Sequence, residues 1–420
     1  MKGKKILPEI LQRPYPRVPL HPMTIKYMKK GHPWVTLDKF SAQFPSKRTF
    51  LVGTNGKSVE NSILIHDPEH KTVKARVWSQ KEPFVEGVKH FPQDLNERVK
   101  DAFLKREQLK IERERDNFYL IFGESDYIPG VHVQKFKQTI LVQYYANYWE
   151  KLQNFLLRSI ELALKEFYPG EKFSLVIQQR NSDKKANSKK AKFSEINCAP
   201  IKTEVIQEYG VRYQIYFDQS YDFGIYTDMA AIRKRVAPYL KGKNKLLNLY
   251  SYTGAYSLFA LSQGVGKTVS VDLSGKYLSW LDKNIELNED FKNRNTNIES
   301  STEDALSKFK QSDEKFDFIV CDPPSASSDG KKVTKAFNAY SSLLPKLVDI
   351  TEKDGNILIF LNTHSITWKK FETKIQEILK TRLKNKKVTI EKKFNLIDDC
   401  PRLSGFIEGD YLKGLLLKVH

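Results

Sequence analysis

Between Lys245 and Leu379, short apolar runs alternate with amphipathic stretches, and this alternation constrains the fold more than any other feature of the chain. Strands are expected at Lys245–Leu249, Thr268–Val271, a short Asn297–Ser300, Phe316–Cys321 and Asn356–Leu361. Helices are expected at Ala255–Ser262, Lys276–Leu287, Ala336–Thr351 and Trp368–Leu379. Strand–helix alternation at this spacing implies an α/β fold with a parallel, doubly wound sheet and right-handed crossovers. Ligands of such sheets sit beyond the carboxyl ends of the strands, so chemistry is sought in the loops that follow each strand.

With 420 residues the chain exceeds one ordinary core. A proline-rich lead is followed by strand-like runs at Thr49–Val52, Ser62–His66 and Val73–Trp78, separated by turn signals at Asn55-Gly56 and Asp67-Pro68. These predict a small β-rich module over residues 1–83. Residues 84–204 read as a central α+β domain. Its expected elements are a charged helix at Pro92–Arg115, strands at Phe118–Phe122, His132–Phe136 and Thr139–Tyr145, an amphipathic helix at Asn147–Phe167 and a strand at Leu175–Gln178. The lysine-rich Asp183–Lys192 reads as a loop. The alternating region then falls within a third domain, residues 205–420.

Seventy Lys and Arg against fifty Asp and Glu leave a formal charge of +20, which attracts polyanions, nucleic acid above all. No run approaches the roughly 18 consecutive apolar residues of a membrane span, and the basic N-terminus lacks the apolar core of a secretory signal. Cys198, Cys321 and Cys400 are too widely spaced for a zinc pattern, and three cannot all pair. A cytoplasmic, thiol-reduced protein without a membrane partner is expected.

The loops carry the chemistry. The first strand runs into Tyr250-Ser251-Tyr252-Thr253-Gly254, where a dinucleotide enzyme would need G-x-G-x-x-G to cradle a pyrophosphate. One glycine suits a cofactor with no phosphates, such as S-adenosylmethionine. The second strand ends in Asp272-Leu273, placing an acid where it can accept from both ribose hydroxyls or else cap the next helix. Asp304, after the third strand, stands to accept from an adenine amino group or to cap a helix. The fourth strand ends in Asp322-Pro323-Pro324, a carboxylate at the sheet edge followed by a rigid extended exit whose carbonyls can face a base.

This combination resembles class I methyltransferases. The chain as a whole resembles bacterial large-subunit (23S) ribosomal RNA methyltransferases that carry an N-terminal PUA module. The resemblance rests on Gly31-His32-Pro33-Trp34-Val35, Ala75-Arg76-Val77-Trp78, Gly123-Glu124-Ser125-Asp126 with Pro129-Gly130, Leu247–Gly254, Val271-Asp272, Asp322-Pro323-Pro324 and Tyr411-Leu412-Lys413-Gly414. It implies a PUA-like RNA-binding module, a central α+β domain, a Rossmann-like domain binding S-adenosylmethionine, and ribosomal RNA as partner; it leaves a homodimer open. It also carries over Gly254, Asp272, Asp304 and Asp322 as pocket positions. His32, Trp34, Arg76 and Trp78 are candidates for an RNA-binding face, although either tryptophan could instead be core.

Two chemistries are open. Cytosine C5 methylation needs a thiolate to attack C6, and similar cytosine-5 enzymes carry that cysteine after the fifth strand. Here that loop reads Leu361-Asn362-Thr363-His364-Ser365. Cys321 reads as a buried hydrophobe, and Cys400 precedes Pro401 where relatives tend to have histidine. Guanine N7 attacks directly, so alignment carries the rate; the sister guanine-N7 family resembles the C-terminal half, including Asn362, and is preferred. Ser325 stands where adenine-N6 enzymes place an aromatic ring. Relatives also show Asp-Gln-Arg where this chain reads Asp228-Met229-Ala230, with Arg233 a candidate replacement. That departure motivates a contrary reading, an RNA-binding assembly factor with weakened catalysis.

Overall fold

The central strands of the C-terminal region alternate their side chains between two apolar layers, which requires helices on both faces. Ile319, Cys321, Ile357, Ile359 and Leu361 pack into one layer, and Phe318, Val320, Leu358 and Phe360 into the other. In chain order the strands are β1 (Lys245–Leu249), β2 (Lys267–Asp272), β3 (Asn295–Glu299), β4 (Phe316–Cys321), β5 (Thr351–Asn362), β6 (Val388–Asn395) and β7 (Leu412–Val419). Their spatial order is β3-β2-β1-β4-β5-β7-β6. The first five strands pair parallel, while β7 runs antiparallel between β5 and β6. The connecting helices are α1 (Ala230–Leu240), α2 (Ala255–Ser262), α3 (Gly275–Glu286), α4 (Thr302–Gln311), α5 (Lys331–Asp349) and α6 (Trp368–Arg382). The strand order reverses between β1 and β4, so the crevice opens beyond their carboxyl ends. The computed structural model describes residues 8–180, 188–191, 196–218, 223–324, 331–384 and 386–420.

The doubly wound α/β expectation holds, with three corrections. The antiparallel pair β6 and β7 extends the sheet past the last strand expected from sequence. Helix α1 precedes the first expected strand. The helix anticipated up to Thr351 stops at Asp349, and β5 begins directly after Ile350.

Upstream, five short strands between Arg17 and Ser79 form one sheet, and Arg17–Pro19 pairs parallel with Phe50–Thr54. A second sheet holds Phe118–Phe122, Val131–Phe136, Thr139–Tyr144, Ser174–Gln179 and Ser188–Ala191. Part of the expected lysine-rich loop is therefore strand; 183–187 and Lys192 lie outside the described residues. Helices Phe91–Leu109 and Tyr148–Phe167 cover the second sheet, and one core joins Phe50, Ile65 and Trp78 to Phe91, Leu95 and Trp149. An antiparallel hairpin, Thr203–Glu208 with Val211–Tyr216, leads into the C-terminal region.

Buried ion pairs lock these parts together. Arg106 donates to both carboxyl oxygens of Asp126, at 2.7 and 2.6 Å, and to the Asp399 carbonyl at 3.0 Å. Arg115 pairs with Asp399, whose other oxygen accepts from the Tyr119 amide at 2.8 Å. Arg233 of α1 grips Glu208 of the hairpin through two bonds of 2.7 and 2.9 Å, and Asn117 donates to the same carboxylate at 2.8 Å. Removing one partner of such a pair leaves an unpaired charge in low dielectric, at about 3–5 kcal/mol. Glu208→Ala is therefore expected to lower unfolding free energy by about that amount in urea titration. The double variant Glu208→Leu with Arg233→Met is expected to lose less than either single variant. A strictly additive double variant would refute the coupling.

Candidate functional site

The loop after β1 is built from strained backbone. Tyr250, Tyr252 and Gly254 take φ of +57°, +51° and +81°, so alternate residues are left-handed. Gly254 is required, because a Cβ there would run into Leu281 of α3. The glycine thus lets α2 close on α3, rather than only clearing space beside a ligand. Ser251 is pinned by its amide to the Val271 carbonyl at 3.0 Å. Its hydroxyl is buried with no partner among the described residues. Thr253 is interior; its hydroxyl donates to the Gly224 carbonyl and its carbonyl accepts from Asn284 at 3.0 Å.

Asp272, at the end of β2, stitches this loop to the next. One oxygen accepts from the Tyr252 amide and the other from the Ser274 amide, both at 2.9 Å. Of the two roles open in the sequence the contacts match the capping one, since the acid orders the start of α3 while also tying it to the glycine loop. Leu273 is 71% exposed on the same rim. Asp304 takes the capping role. Its amide donates to Ser301 Oγ at 3.1 Å while Ser301 Oγ donates back to its carboxylate at 2.7 Å, a reciprocal cap at the start of α4.

Asp322 stands past the end of β4, beside the buried Pro323. Burial, together with the neighbouring Asp228 carboxylate, pushes its carboxyl up to about 7. Asp228 accepts from the Tyr411 hydroxyl at 2.7 Å, and burial raises its carboxyl also. The Tyr256 hydroxyl is buried nearby without a partner among the described residues. Asn362 ends β5, paired in register with Leu412. The next loop is held by Lys413, whose Nζ donates to the carbonyls of Thr363, Asp410 and Tyr411 at 2.7, 3.0 and 3.1 Å. Sequence reasoning gave Asp228, Tyr256, Tyr411 and Lys413 no site role; the signals were the acid preceding α1 and the Tyr-Leu-Lys-Gly run.

The fold therefore gathers residues 250–254, Asp272, Leu273, Asp322, Pro323 and Asn362 at one sheet edge. It does not gather the proposed RNA face. Arg233 is 1% exposed and committed to Glu208. Arg76 is buried between Asp67 and Glu124. Trp78 is core, with the Arg98 guanidinium 3.7 Å from its ring centroid. These three are corrected from RNA ligands to internal positions, since both guanidinium groups already face carboxylates and the Trp78 ring is packed in the core. His32 contacts Glu408 at 3.2 Å, and Trp34 donates to Glu124 at 2.8 Å while packing edge-on against Phe406. Both are half-buried where the N-terminal sheet meets the C-terminal loops. Ser325 lies outside the described residues. All three cysteines have raised thiol pKa values from burial, and Cys321 and Cys400 are interior at 0 and 1% exposure.

A family model described as conserved hypothetical protein 95 matches residues 230–382. A Bacillus subtilis (strain 168) protein named as a ribosomal RNA large subunit methyltransferase, YwbD, is 30% identical over 306 residues, covering 72% of this chain and 74% of its own. Ribosomal RNA large subunit methyltransferase I of Pseudoalteromonas translucida (strain TAC 125) is 26% identical across 94% of this chain and 97% of its own. A solved Streptococcus mutans structure described as a SAM-dependent methyltransferase superposes with a TM-score of 0.80 at 18% identity, covering 96% of this chain and all of that one, which establishes the shared fold.

The raised Asp322 pKa has a stability signature. Because the folded value of about 7 lies above the unfolded value of 3.8, the folded state is favoured while the group is protonated. That advantage is lost progressively as pH rises from about 4 to about 7. Asp322→Asn is expected to raise the melting temperature by a few degrees at pH 8, with the gain shrinking toward zero near pH 4. Scanning calorimetry across that range checks it, and a pH-independent difference would contradict the assigned ionisation.

Proposed function

This chain belongs to the ribosomal RNA large subunit methyltransferase family, and from that premise we propose that it transfers a methyl group from S-adenosylmethionine to guanine N7 of 23S ribosomal RNA in the cytoplasm. The pocket residues fit the cofactor. The glycine loop has no lysine or arginine to neutralise phosphates. The Ser251 hydroxyl, without a partner among the described residues, and the Asp272 carboxylate offer polar contacts on the side where an adenosine would lie. When bound, the cofactor supplies an electrophilic methyl group on a sulfonium. The residues that would hold it are 250–254, Asp272 and Leu273, with Asp322 and Pro323 toward the acceptor base.

The observation that carries direct transfer over cytosine-5 chemistry is the state of the thiols. Covalent attack on C6 needs a thiolate at the sheet edge. Cys321 and Cys400 are enclosed, and burial holds both as neutral thiols. A guanine needs no such nucleophile. Its N7 lone pair attacks in line once the ring is fixed, and Asp322 can accept from the N1 and N2 hydrogens while Asn362 borders the same pocket. The target must be unpaired or flipped out to reach that depth, and phosphate contacts by the chain's excess lysines help offset the roughly few kcal/mol involved. In this reading residues 1–83 serve as a PUA-like RNA-binding module, through surfaces other than the buried Arg76 and Trp78.

Asp322→Ala is expected to reduce tritiated methyl incorporation into ribosomal RNA by at least about 100-fold, with a much smaller loss of cofactor affinity by calorimetry because the removed carboxylate no longer faces the sulfonium. Cys400→Ala and Cys321→Ala should each stay within a few-fold of the parent, because neither thiol takes part. Nucleoside mass spectrometry of 23S RNA with and without the gene should show loss of 7-methylguanosine. Loss of 5-methylcytidine together with an inactive Cys400→Ala would overturn the chemistry, and full activity of Asp322→Ala would overturn the site.

A further inference from the structure

We propose that the groove around strand β6 holds a phosphate of the RNA strand that carries the target base; this rests on the RNA-methyltransferase reading above. The groove has a volume of about 490 Å³ and runs from Arg235 of α1, past Lys392 and Lys393 of β6, to Gln376 of α6. β6 is an edge strand. Its register shifts between Ile390 and Lys392, and that irregularity turns the strand over. Ile390 packs with the α6 layer and Phe394 with the α1 layer, while Lys392 and Lys393 between them stay exposed.

Charge in the groove is unevenly matched. Lys393 pairs with Glu372 at 2.5 Å, and Glu391 accepts from Asn356 at 2.9 Å. Arg235 and Lys392 have no carboxylate at ion-pair distance among the described residues. Asp398 feels the Arg235 charge without an ion pair to it. Arg235 also stands apart from the other enclosed arginines. Arg76, Arg106, Arg115 and Arg233 face carboxylates, and Arg98 donates to two carbonyls. The Arg235 guanidinium instead lies 5.2 Å from the Phe394 ring centroid, and its buried Nη1 has no hydrogen-bond partner among the described residues. A buried charged donor without an acceptor is destabilising, and phosphate oxygens suit a planar guanidinium fork. Position selects the source of that phosphate. Through β7, β6 runs parallel to β5, so Lys393 and Asn395 lie toward the same sheet edge as Asn362. In the order β4-β5-β7-β6 the groove is three strand spacings, roughly 14 Å, from the strand that leads to Asp322. An RNA strand delivering its base to the pocket passes within that reach, and the +20 chain draws its phosphates in.

The test measures binding of the full chain to a fluorescein-labelled single-stranded oligoribonucleotide by anisotropy, over a series of salt concentrations. Each phosphate contact to a single strand contributes about 0.7 to the slope of log affinity against log salt. Arg235→Gln is expected to weaken binding about tenfold at low salt and to make the slope shallower by about 0.7. Lys392→Gln should flatten the slope by a similar amount, and it reads the groove independently should Arg235→Gln fold poorly. Arg235→Lys should keep the parent slope but lose affinity, since it retains the charge and lacks the fork. Lys267→Gln, at the start of β2 on the opposite edge of the sheet, should match the parent. Parent-like slopes for both Arg235→Gln and Lys392→Gln would overturn the proposal, as would an equal fall for Lys267→Gln. Calorimetry with inorganic phosphate separates a free-anion site from an RNA site. Arg235-dependent phosphate binding with unchanged RNA slopes would also count against the proposal. Arg235-dependent RNA binding in a protein that incorporates no methyl group would leave the groove standing and sink the methyltransferase reading; normal methyl incorporation with parent-like slopes would do the reverse.

Discussion

The buried Asp399 carboxylate is the joint on which the arrangement of the molecule depends. It comes from the loop between β6 and β7, yet it binds Arg115 and the Tyr119 amide of the central region. Its own carbonyl takes Arg106, which also clamps Asp126. An ionised group in such a place is tolerated only with opposite charge and hydrogen bonds around it. Geometry there is consequently narrow, and the consequence reaches the pocket. Tyr119 lies in the strand that ends in Phe122, and Cys400 follows Asp399 directly. The Glu208–Arg233 pair does the same for the hairpin and α1, with Asp228 in the turn just before that helix.

What could be read from the chain alone follows from where apolar periodicity survives. β1, α2 and β4 begin and end where the pattern predicts, because each is an uninterrupted apolar run bounded by turn or polar residues. α1 escaped notice because Arg233 is buried in its apolar face and Pro238 sits in its last turns. β7, Leu412–Val419, is apolar on both faces, and such a run does not separate strand from helix by period. β6 is an edge strand with mostly polar side chains, so it carries little alternation. The RNA-face expectation at Arg76 and Arg233 failed for a related reason. A basic residue looks available in sequence until its carboxylate partners arrive from elsewhere, here Asp67 and Glu124 for one and Glu208 for the other.

The same limit governed the site. The placing of Gly254, Asp272 and Asp322 at one sheet edge was legible because each stands at or just past the end of a strand in a doubly wound sheet. Asp304 was not separable from a helix cap until Ser301 was seen to bond it in both directions. Asp228 and Tyr411 are far apart in sequence, and neither advertises the other. Their meeting converts a lone carboxylate at β4 into a pair of carboxyls in one low-dielectric corner.

That pair explains how the pocket could respond to its ligands. Burial penalises the ionised form of Asp322 and the neighbouring Asp228 carboxylate repels a second charge, which together push its carboxyl up to about 7. On the proposed function the incoming cofactor bears a sulfonium, and a positive charge nearby favours the ionised form of a carboxyl. Linkage makes the relation reciprocal: whatever ionises Asp322 strengthens cation binding by the same factor. An ionised Asp322 is also the better acceptor for a guanine's N1 and N2 hydrogens. Filling the cofactor side would thus prepare the base side, through the charge of one side chain and with no movement of the sheet.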